Sequence, residues 1–310
     1  MYLRRRESGW VALAPAKINL YLEVTGKRTD GYHELVTFMA PVRLFDSLSL
    51  VTSPPTADGP GPIELQTRWS IGQFGRLDSE SSLPDDQSNL VIRALGLLQQ
   101  ASGCPQGARV ELVKRIPLGA GLGGGSSDAA AALRLANQAW QLGWNHERLE
   151  DLAAQLGSDV PFFLAGGAAV CRGRGERVQP VGTLAPLACV IAKPREALST
   201  AQVFRALDST TTPDQPERGV ENLLQTLRTG NLGSIGRFMT NRLASTAMQL
   251  VPSLAGIQAA FAELDFVAHQ LTGSGSAYFG ICRNGRHANR LAATLRGRIP
   301  GWCYATYVSR

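Results

Sequence analysis

No stretch of this sequence approaches the roughly 20 uninterrupted apolar residues that a membrane-spanning helix needs, which argues against an integral membrane protein. Cysteine is scarce and unpatterned. Cys104, Cys171, Cys189, Cys282 and Cys303 are odd in number and show neither a CxxC pair nor Cys/His ligand spacing. A disulfide framework or structural zinc site is thereby disfavoured, and free buried thiols in a reducing compartment are expected. The four histidines show no metal spacing, and His146, His269 and His287 carry no recognisable motif. The first residues lack an apolar signal core and a long Ser/Arg-rich transit stretch, since Arg4–Arg6 run straight into strand-like sequence. A cytoplasmic protein without a targeting peptide is the expectation. Also missing are internal repeats, low-complexity tracts and a basic stripe interleaved with aromatics. A nucleic-acid partner is therefore disfavoured despite a net charge of +6 and a pI near 9.3. An anionic small molecule satisfies the same charge balance. The carboxy-terminal arginines (Arg283, Arg286, Arg290, Arg296, Arg298) read as a solvated face around a helix.

What is present suffices for a sizeable core. The 310 residues are 44% hydrophobic and 18% charged, a length and balance that suit two closely packed domains. From Trp10 to Val24 the pattern alternates, with Ile18, Leu20, Leu22 and Val24 opposed to Lys17, Asn19, Tyr21 and Glu23, the period of a half-buried strand. Phe45–Val51 and Ala108–Val113 also read as strands. Ser53–Pro84 is rich in Pro, Gly, Ser and Asp and reads as a surface excursion with short strand-like pieces such as Ile63–Thr67, compatible with a hairpin. Helices are expected over Asn89–Ala101, over Ser126–Trp140 with Ser-Ser-Asp as its capping sequence, and over Glu147–Leu156. After a looser stretch at Pro180–Pro186, a strand is expected at Leu187–Ala192. Helices then start near Ser199, Val220, Leu232 and Pro252, and strands cover Phe266–Leu271, Ser276–Cys282 and Trp302–Val308. Strands and helices mix without strict βαβ alternation, so the fold class is α+β. The domain boundary is placed between residues 180 and 181, giving domains 1–180 and 181–310.

The most informative segment is Pro117-Leu118-Gly119-Ala120-Gly121-Leu122-Gly123-Gly124-Gly125-Ser126-Ser127. Its five glycines admit positive φ and let backbone approach a ligand closely. They run into a helix whose first N–H groups lack intrahelical partners and lie at the positive end of the dipole, which together make an anion cradle. Ser126 and Ser127 add hydroxyls. A Walker loop is excluded because the helix opens Gly-Ser-Ser without lysine. The dinucleotide pattern is formally met by Gly119, Gly121 and Gly124, but no acidic residue ends a second strand about 20 residues on.

Two charged residues are candidates for chemistry. Lys17, beside Asn19 and after Ala14-Pro15-Ala16, is either a surface residue of an edge strand or a positioned ammonium. Asp159, in Gly157-Ser158-Asp159-Val160-Pro161-Phe162-Phe163, is either a residue that caps or makes a turn or a general base. Together they divide a phosphoryl transfer sensibly, with the aspartate taking the hydroxyl proton and the lysine neutralising developing charge. Gly273, Ser274 and Gly275, within Thr272–Ala277, form either a plain hairpin turn or a second set of backbone donors. Tyr32 and His33 in Asp30-Gly31-Tyr32-His33-Glu34 have the composition of a loop that stacks on and hydrogen-bonds a ring.

Pro15–Leu20, Pro117–Asp128 and Thr272–Ala277 resemble, in order, the three motifs of the GHMP kinase superfamily. Arg28–Leu35 and Gly157–Phe163 most resemble the branch that phosphorylates the 2-hydroxyl of a cytidine-diphosphate-bearing alcohol in the non-mevalonate route to isoprenoid precursors. The resemblance implies an amino-terminal domain like the second domain of ribosomal protein S5 and a carboxy-terminal ferredoxin-like domain. It further implies an ATP-dependent kinase with Lys17 and Asp159 as the catalytic pair and Pro117–Ser127 at the ATP phosphates. Asn19, Tyr32, His33 and the Gly273–Gly275 turn are implied at the substrate. Phe204 is the candidate second aromatic around the cytosine, by position. No acidic metal ligand is evident, so Mg²⁺ is expected to ride on the nucleotide phosphates and water. A monomer or weak dimer is expected. A homoserine- or mevalonate-type kinase, and a ligand sensor without catalysis, are the alternatives.

Overall fold

Alternation, capping and glycine placement generate most of the elements in the computed structural model, which describes residues 1–70, 83–207 and 216–308. The part of the surface excursion at residues 71–82 lies outside the described residues. In chain order the elements begin with β1 (Tyr2–Arg6), β2 (Gly9–Lys27), β3 (His33–Ser53), β4 (Ile63–Trp69), α1 (Leu90–Ser102) and β5 (Gly107–Lys114). Next come α2 (Gly124–Ala139), α3 (His146–Leu156), α4 (Val160–Ala165), β6 (Ala169–Gly173), β7 (Arg177–Pro180) and β8 (Ala188–Pro194). The chain continues through α5 (Thr200–Ala206), α6 (Pro216–Arg228), a 3₁₀ turn at Leu232–Arg237, β9 (Thr240–Asn241), α7 (Ala244–Leu250) and α8 (Ser253–Ala262). It ends with β10 (Ala268–Leu271), β11 (Tyr278–Cys282), α9 (Gly285–Arg296) and β12 (Gly301–Tyr307). Strands and helices are mixed in the α+β manner.

The chain forms two units, the first comprising Met1–Ala16, Leu44–Ile116 and Gly123–Gly166, the second Lys17–Arg43, Pro117–Leu122 and Gly167–Arg310. In the first unit β1 pairs antiparallel with the start of β2, the end of β3 pairs antiparallel with β5, and β4 runs parallel to β5 at the sheet edge. A Cβ on Gly9 would fall 2.3 Å from Leu50 O, so the β1–β2 turn requires glycine. Within the surface excursion a tight turn at Thr56–Gly59 precedes β4, which pairs on the side of β5 away from β3. α1 is capped by Asn89, whose side chain accepts from Val91 N–H, and ends at Gly103 in the left-handed region. It packs on α2, where Ala129–Ala132 are all buried and their small side chains permit close approach.

In the second unit the start of β3 pairs with β6, β6 pairs with β7, and the second half of β2 pairs in parallel with β9. A separate antiparallel sheet has the order β10-β11-β8-β12. Its core joins Val190, Leu271 and Tyr278 to Phe261 of α8 and Leu291 of α9.

Several sequence readings are corrected. β2 is buried on both faces over residues 14–24, because its polar side chains find partners instead of water. Ser126, Ser127 and Asp128 do not cap α2: the helix starts earlier, with Gly123 at the cap in the left-handed conformation (φ 70°). The helix expected at Leu232 is a 3₁₀ turn, since glycines at 233 and 236 weaken α propensity. The carboxy-terminal arginines are exposed as expected, and some are also paired: Arg283 and Arg290 both reach Asp265, and Arg298 reaches Glu263.

Candidate active site

Lys17 opens the second half of β2 and is 4% exposed. Its Nζ donates to Asn19 Oδ1 at 2.7 Å. Asn19 in turn donates through Nδ2 to Thr37 Oγ1 (2.9 Å), and its backbone N–H reaches Thr272 Oγ1 (3.0 Å). Thr37 Oγ1 donates to Tyr21 O at 2.7 Å, and Gln270 Nε2 donates to Asn19 O at 2.9 Å. The edge-strand alternative for Lys17 therefore falls. A buried ammonium costs several kcal/mol unless its hydrogen bonds are met, and charged hydrogen bonds contribute about 1.5–3 kcal/mol each. Such a network fixes the ammonium direction instead of letting a four-carbon stem wander.

The glycine-rich segment meets this network through its backbone. Leu122 O accepts from Lys17 N–H at 2.9 Å. Gly119 O accepts from Leu198 N–H and Ser276 N–H, both at 3.3 Å, and Ala120 O accepts from Ala277 N–H at 3.1 Å. Gly119 and Gly121 both take positive φ (57° and 70°), and a Cβ on Gly121 would lie 2.3 Å from Thr272 O. Gly273 (φ 55°) lies where a Cβ would be 3.3 Å from Lys17 Nζ. The Thr272–Ala277 turn is thus a hairpin connection between β10 and β11 that also seats the glycine-rich segment. Asn241 ties it further, donating through Nδ2 to Leu271 O and Gly273 O, both at 2.9 Å. Ser274 Oγ lies 2.8 Å from Thr200 Oγ1.

Downstream, the first bond of the α2 ladder runs from Ser127 N–H to Gly123 O at 2.9 Å. Gly124, Gly125 and Ser126 therefore present the orphan N–H groups, and a glycine cap supplies no side-chain acceptor to occupy them. This end of the helix can take an anion. Ser127 Oγ, in the same turn, is buried with no hydrogen-bond partner among the described residues.

Tyr32 and His33 are delivered by the β2–β3 turn. Gly31 takes φ 87°, Tyr32 N–H donates to Asp30 Oδ1 at 3.1 Å, and Arg28 pairs with both Asp30 (3.0 Å) and Glu34 (3.1 Å). Tyr32 is 51% exposed, and the Arg174 guanidinium lies 5.1 Å from its ring centroid. The His33 ring packs against Phe204, with centroids 5.2 Å apart and planes tilted by 31°. Burial, followed by nearby Lys27, holds the His33 imidazole below its ordinary pKa. At neutral pH it is uncharged and offers one donor and one acceptor.

Asp159, in the first unit, occupies the cap position of α4 with φ −86° and ψ −9°, and its side chain makes no capping hydrogen bond. The capping alternative therefore falls, and the turn alternative stands, since Val160 N–H donates to Gly157 O (3.2 Å) across Asp159. Five apolar residues that follow it, Val160–Leu164, are buried and hold the backbone. Among the described residues no group of three or more His, Cys, Asp or Glu is placed to hold a metal ion, and no helix is long and apolar enough to cross a membrane.

Sequence reasoning missed Thr37, Asn241 and Gln270, single polar residues inside strands with no local signal. It also missed Arg174, although the flanking Gly173 and Gly175 mark a turn that presents it.

One substitution tests the close approach of the two turns. Gly121→Ala places a Cβ at a positive φ and against a carbonyl, adding about 1–2 kcal/mol of backbone strain and a comparable clash. Chemical denaturation should show a lowered midpoint; an unchanged midpoint would mean that the turns part without cost.

Comparison with known proteins finds matches over most of the chain. The GHMP kinases N terminal domain matches residues 89–167 and the GHMP kinases C terminal domain matches residues 223–300. A relative from Pelotomaculum thermopropionicum, a 4-diphosphocytidyl-2-C-methyl-D-erythritol kinase, is 39% identical over 285 residues, covering 92% of this chain and 93% of the relative. The crystal structure of a 4-(cytidine 5′-diphospho)-2C-methyl-D-erythritol kinase superposes with a TM-score of 0.75 at 38% identity, covering 97% of this chain and 100% of that one. A homoserine kinase from Cytophaga hutchinsonii gives a TM-score of 0.76 at 19% identity, covering 99% and 97%, a likeness of fold alone. The chain belongs to the GHMP kinases, in the family of the 4-diphosphocytidyl-2-C-methyl-D-erythritol kinases.

Proposed function

We propose that this chain transfers the γ-phosphoryl group of ATP to the 2-hydroxyl of 4-diphosphocytidyl-2-C-methyl-D-erythritol, in the non-mevalonate route to isoprenoid precursors. The observation that carries the reading is the buried Lys17 ammonium, oriented by Asn19 where two glycine-rich turns meet. A kinase needs a fixed cation beside a phosphate-binding backbone, because phosphoryl transfer is catalysed mainly by positioning and charge. In this reading Asp159 accepts the proton of the attacking hydroxyl, and Lys17 neutralises charge on the transferred group. The segment Pro117–Ser127 cradles the phosphates, with the N–H groups of Gly124, Gly125 and Ser126 facing them. Mg²⁺ is carried by the phosphates and water, which suits an ion that dehydrates reluctantly. When bound it would supply positive charge that offsets the charge of the phosphates.

The cytosine is assigned to Tyr32, His33 and Phe204. His33, neutral with both a donor and an acceptor, suits the hydrogen-bonding edge of an uncharged base. Asn19 and the Gly273–Gly275 turn serve the alcohol end of the substrate. The domain boundary is assigned between residues 180 and 181, and the two family matches at 89–167 and 223–300 fall on either side of it. We assign the protein to the cytoplasm as a monomer or weak dimer, without nucleic-acid or membrane partners.

A coupled ADP-release assay with Mg·ATP tests the assignment, with homoserine and mevalonate as controls. Turnover with the cytidyl substrate alone is expected. Turnover only with another alcohol would keep a kinase and overturn the role of Tyr32 and His33. Tyr32→Ala should raise the KM for the alcohol about tenfold, since base stacking contributes about 1–3 kcal/mol, with kcat little changed. A collapsed kcat at unchanged KM would refute stacking.

A further inference from the structure

The stems of the glycine-rich segment are joined by a buried cluster that the mechanism above does not use. Asp46 in β3, Lys114 at the end of β5 and Asp128 in the first turn of α2 all lie in the first unit, with side chains at most 3% exposed. Asp46 Oδ1 accepts from the backbone N–H groups of Arg115 (2.5 Å) and Ile116 (2.9 Å), the two residues before Pro117. Its Oδ2 accepts from Lys114 Nζ, which also donates to Asp128 Oδ2 at 2.6 Å. Lys114 Nζ further lies beneath Gly124, where a Cβ would be 3.3 Å from it.

We propose that Asp46, Lys114 and Asp128 are positioning residues that clamp the two stems of the phosphate loop, fixing the separation at which its N–H groups meet the ATP phosphates. The proposal rests on the reading of Pro117–Ser127 as the ATP cradle. Three arguments support it. A loop with five glycines has large conformational freedom, and binding pays for whatever ordering the free protein has not already made. The bonds of the cluster are directional and reach both stems: Asp46 holds the end of β5, and Lys114 joins that end to α2. Finally, two carboxylates around one ammonium are a poor way to stabilise a core, since apolar residues of similar volume do as well. Their presence under the loop is better explained by geometry than by stability. Burial lowers the Lys114 pKa, but Asp128 and Asp46 outweigh it and keep the ammonium charged. Burial raises the Asp128 carboxyl, and Asp46 adds to this, against the pull of Lys114.

The test is Asp128→Asn in the full chain, which keeps shape and an acceptor but removes the charge that draws Lys114 to α2. The KM for ATP is expected to rise at least tenfold, with the KM for the alcohol and kcat at saturating ATP within about twofold of the parent. A cluster that serves stability alone would lower the melting temperature and the active fraction while leaving both KM values unchanged, and that result overturns the proposal. If Asp128→Asn does not fold, Asp46→Asn is measured in the same way, with the same outcomes deciding. Hydrogen exchange of residues 117–125 in the parent enzyme, with and without ADP, separates the two levels of the argument. No protection by ADP would remove the cradle reading and the clamp with it. Protection by ADP together with an unchanged KM for ATP in the variant would remove the clamp alone.

Discussion

Asp159→Ala is expected to lower turnover by a factor of 10² to 10⁴ or more, with ATP affinity within about threefold of the parent. The magnitude is that of a lost general base. The expectation of intact binding and folding comes from local structure. Asp159 holds the cap position of α4, but its side chain makes no capping hydrogen bond. The usual cost of about 1 kcal/mol for deleting a cap therefore does not apply. Val160, Phe162, Phe163 and Leu164 keep the helix anchored through burial. The loss should thus appear in single-turnover chemistry and not in ADP binding or in the unfolding midpoint. A variant that loses ATP affinity as well would assign Asp159 to the nucleotide or its metal, and a variant that unfolds would make it structural.

Lys114→Met is expected to destabilise the fold by about 3–5 kcal/mol at neutral pH, the cost of removing one partner from a buried ionic cluster. Methionine fills most of the volume, so the deficit is electrostatic: Asp46 and Asp128 remain buried without their cation. The pH dependence follows in sign. With the ammonium gone, nothing offsets the burial that already raises the Asp128 carboxyl above its unfolded value. Groups raised in the folded state contribute stability that is complete below the unfolded pKa, near 4, and is lost as pH rises through the folded values. The variant should therefore approach the parent in acid and fall furthest behind it above neutrality. Urea denaturation at pH 5 and pH 8 measures this directly. An equal deficit at both pH values would show that lost packing is responsible and not charge. The triple variant with Asp46→Asn and Asp128→Asn should recover part of the loss.

The sequence carried the local devices clearly. The helices expected at Asn89–Ala101 and Glu147–Leu156 form as α1 and α3, and β5 and β8 fall where apolar runs put them. The glycines of 119–125 marked a segment of close backbone approach, and a Cβ on Gly121 would indeed meet Thr272 O. The readings that failed did so where a partner distant in sequence changed the environment. The alternation of β2 implied one wet face, yet Lys17 and Asn19 are buried because Thr37, Gln270 and Thr272 supply their hydrogen bonds. Ser-Ser-Asp looked like a cap, yet Asp128 turns inward to Lys114, 14 positions earlier, and a glycine takes the cap.

By itself the sequence determined the α+β class, the order of the motifs, and the residue types that phosphoryl transfer needs. These follow from periods of two and 3.6 residues and from steric freedom at glycine, all set by neighbours within a few positions. Tertiary structure alone decided which of those residues meet. Only in the fold do Gly121 and Thr272 touch, Phe204 reach His33, and Asp46 close on the stems of a loop some 70 residues away. Burial removes the competition of water, so a polar side chain's role is set by whichever groups the fold brings within about 3 Å of it.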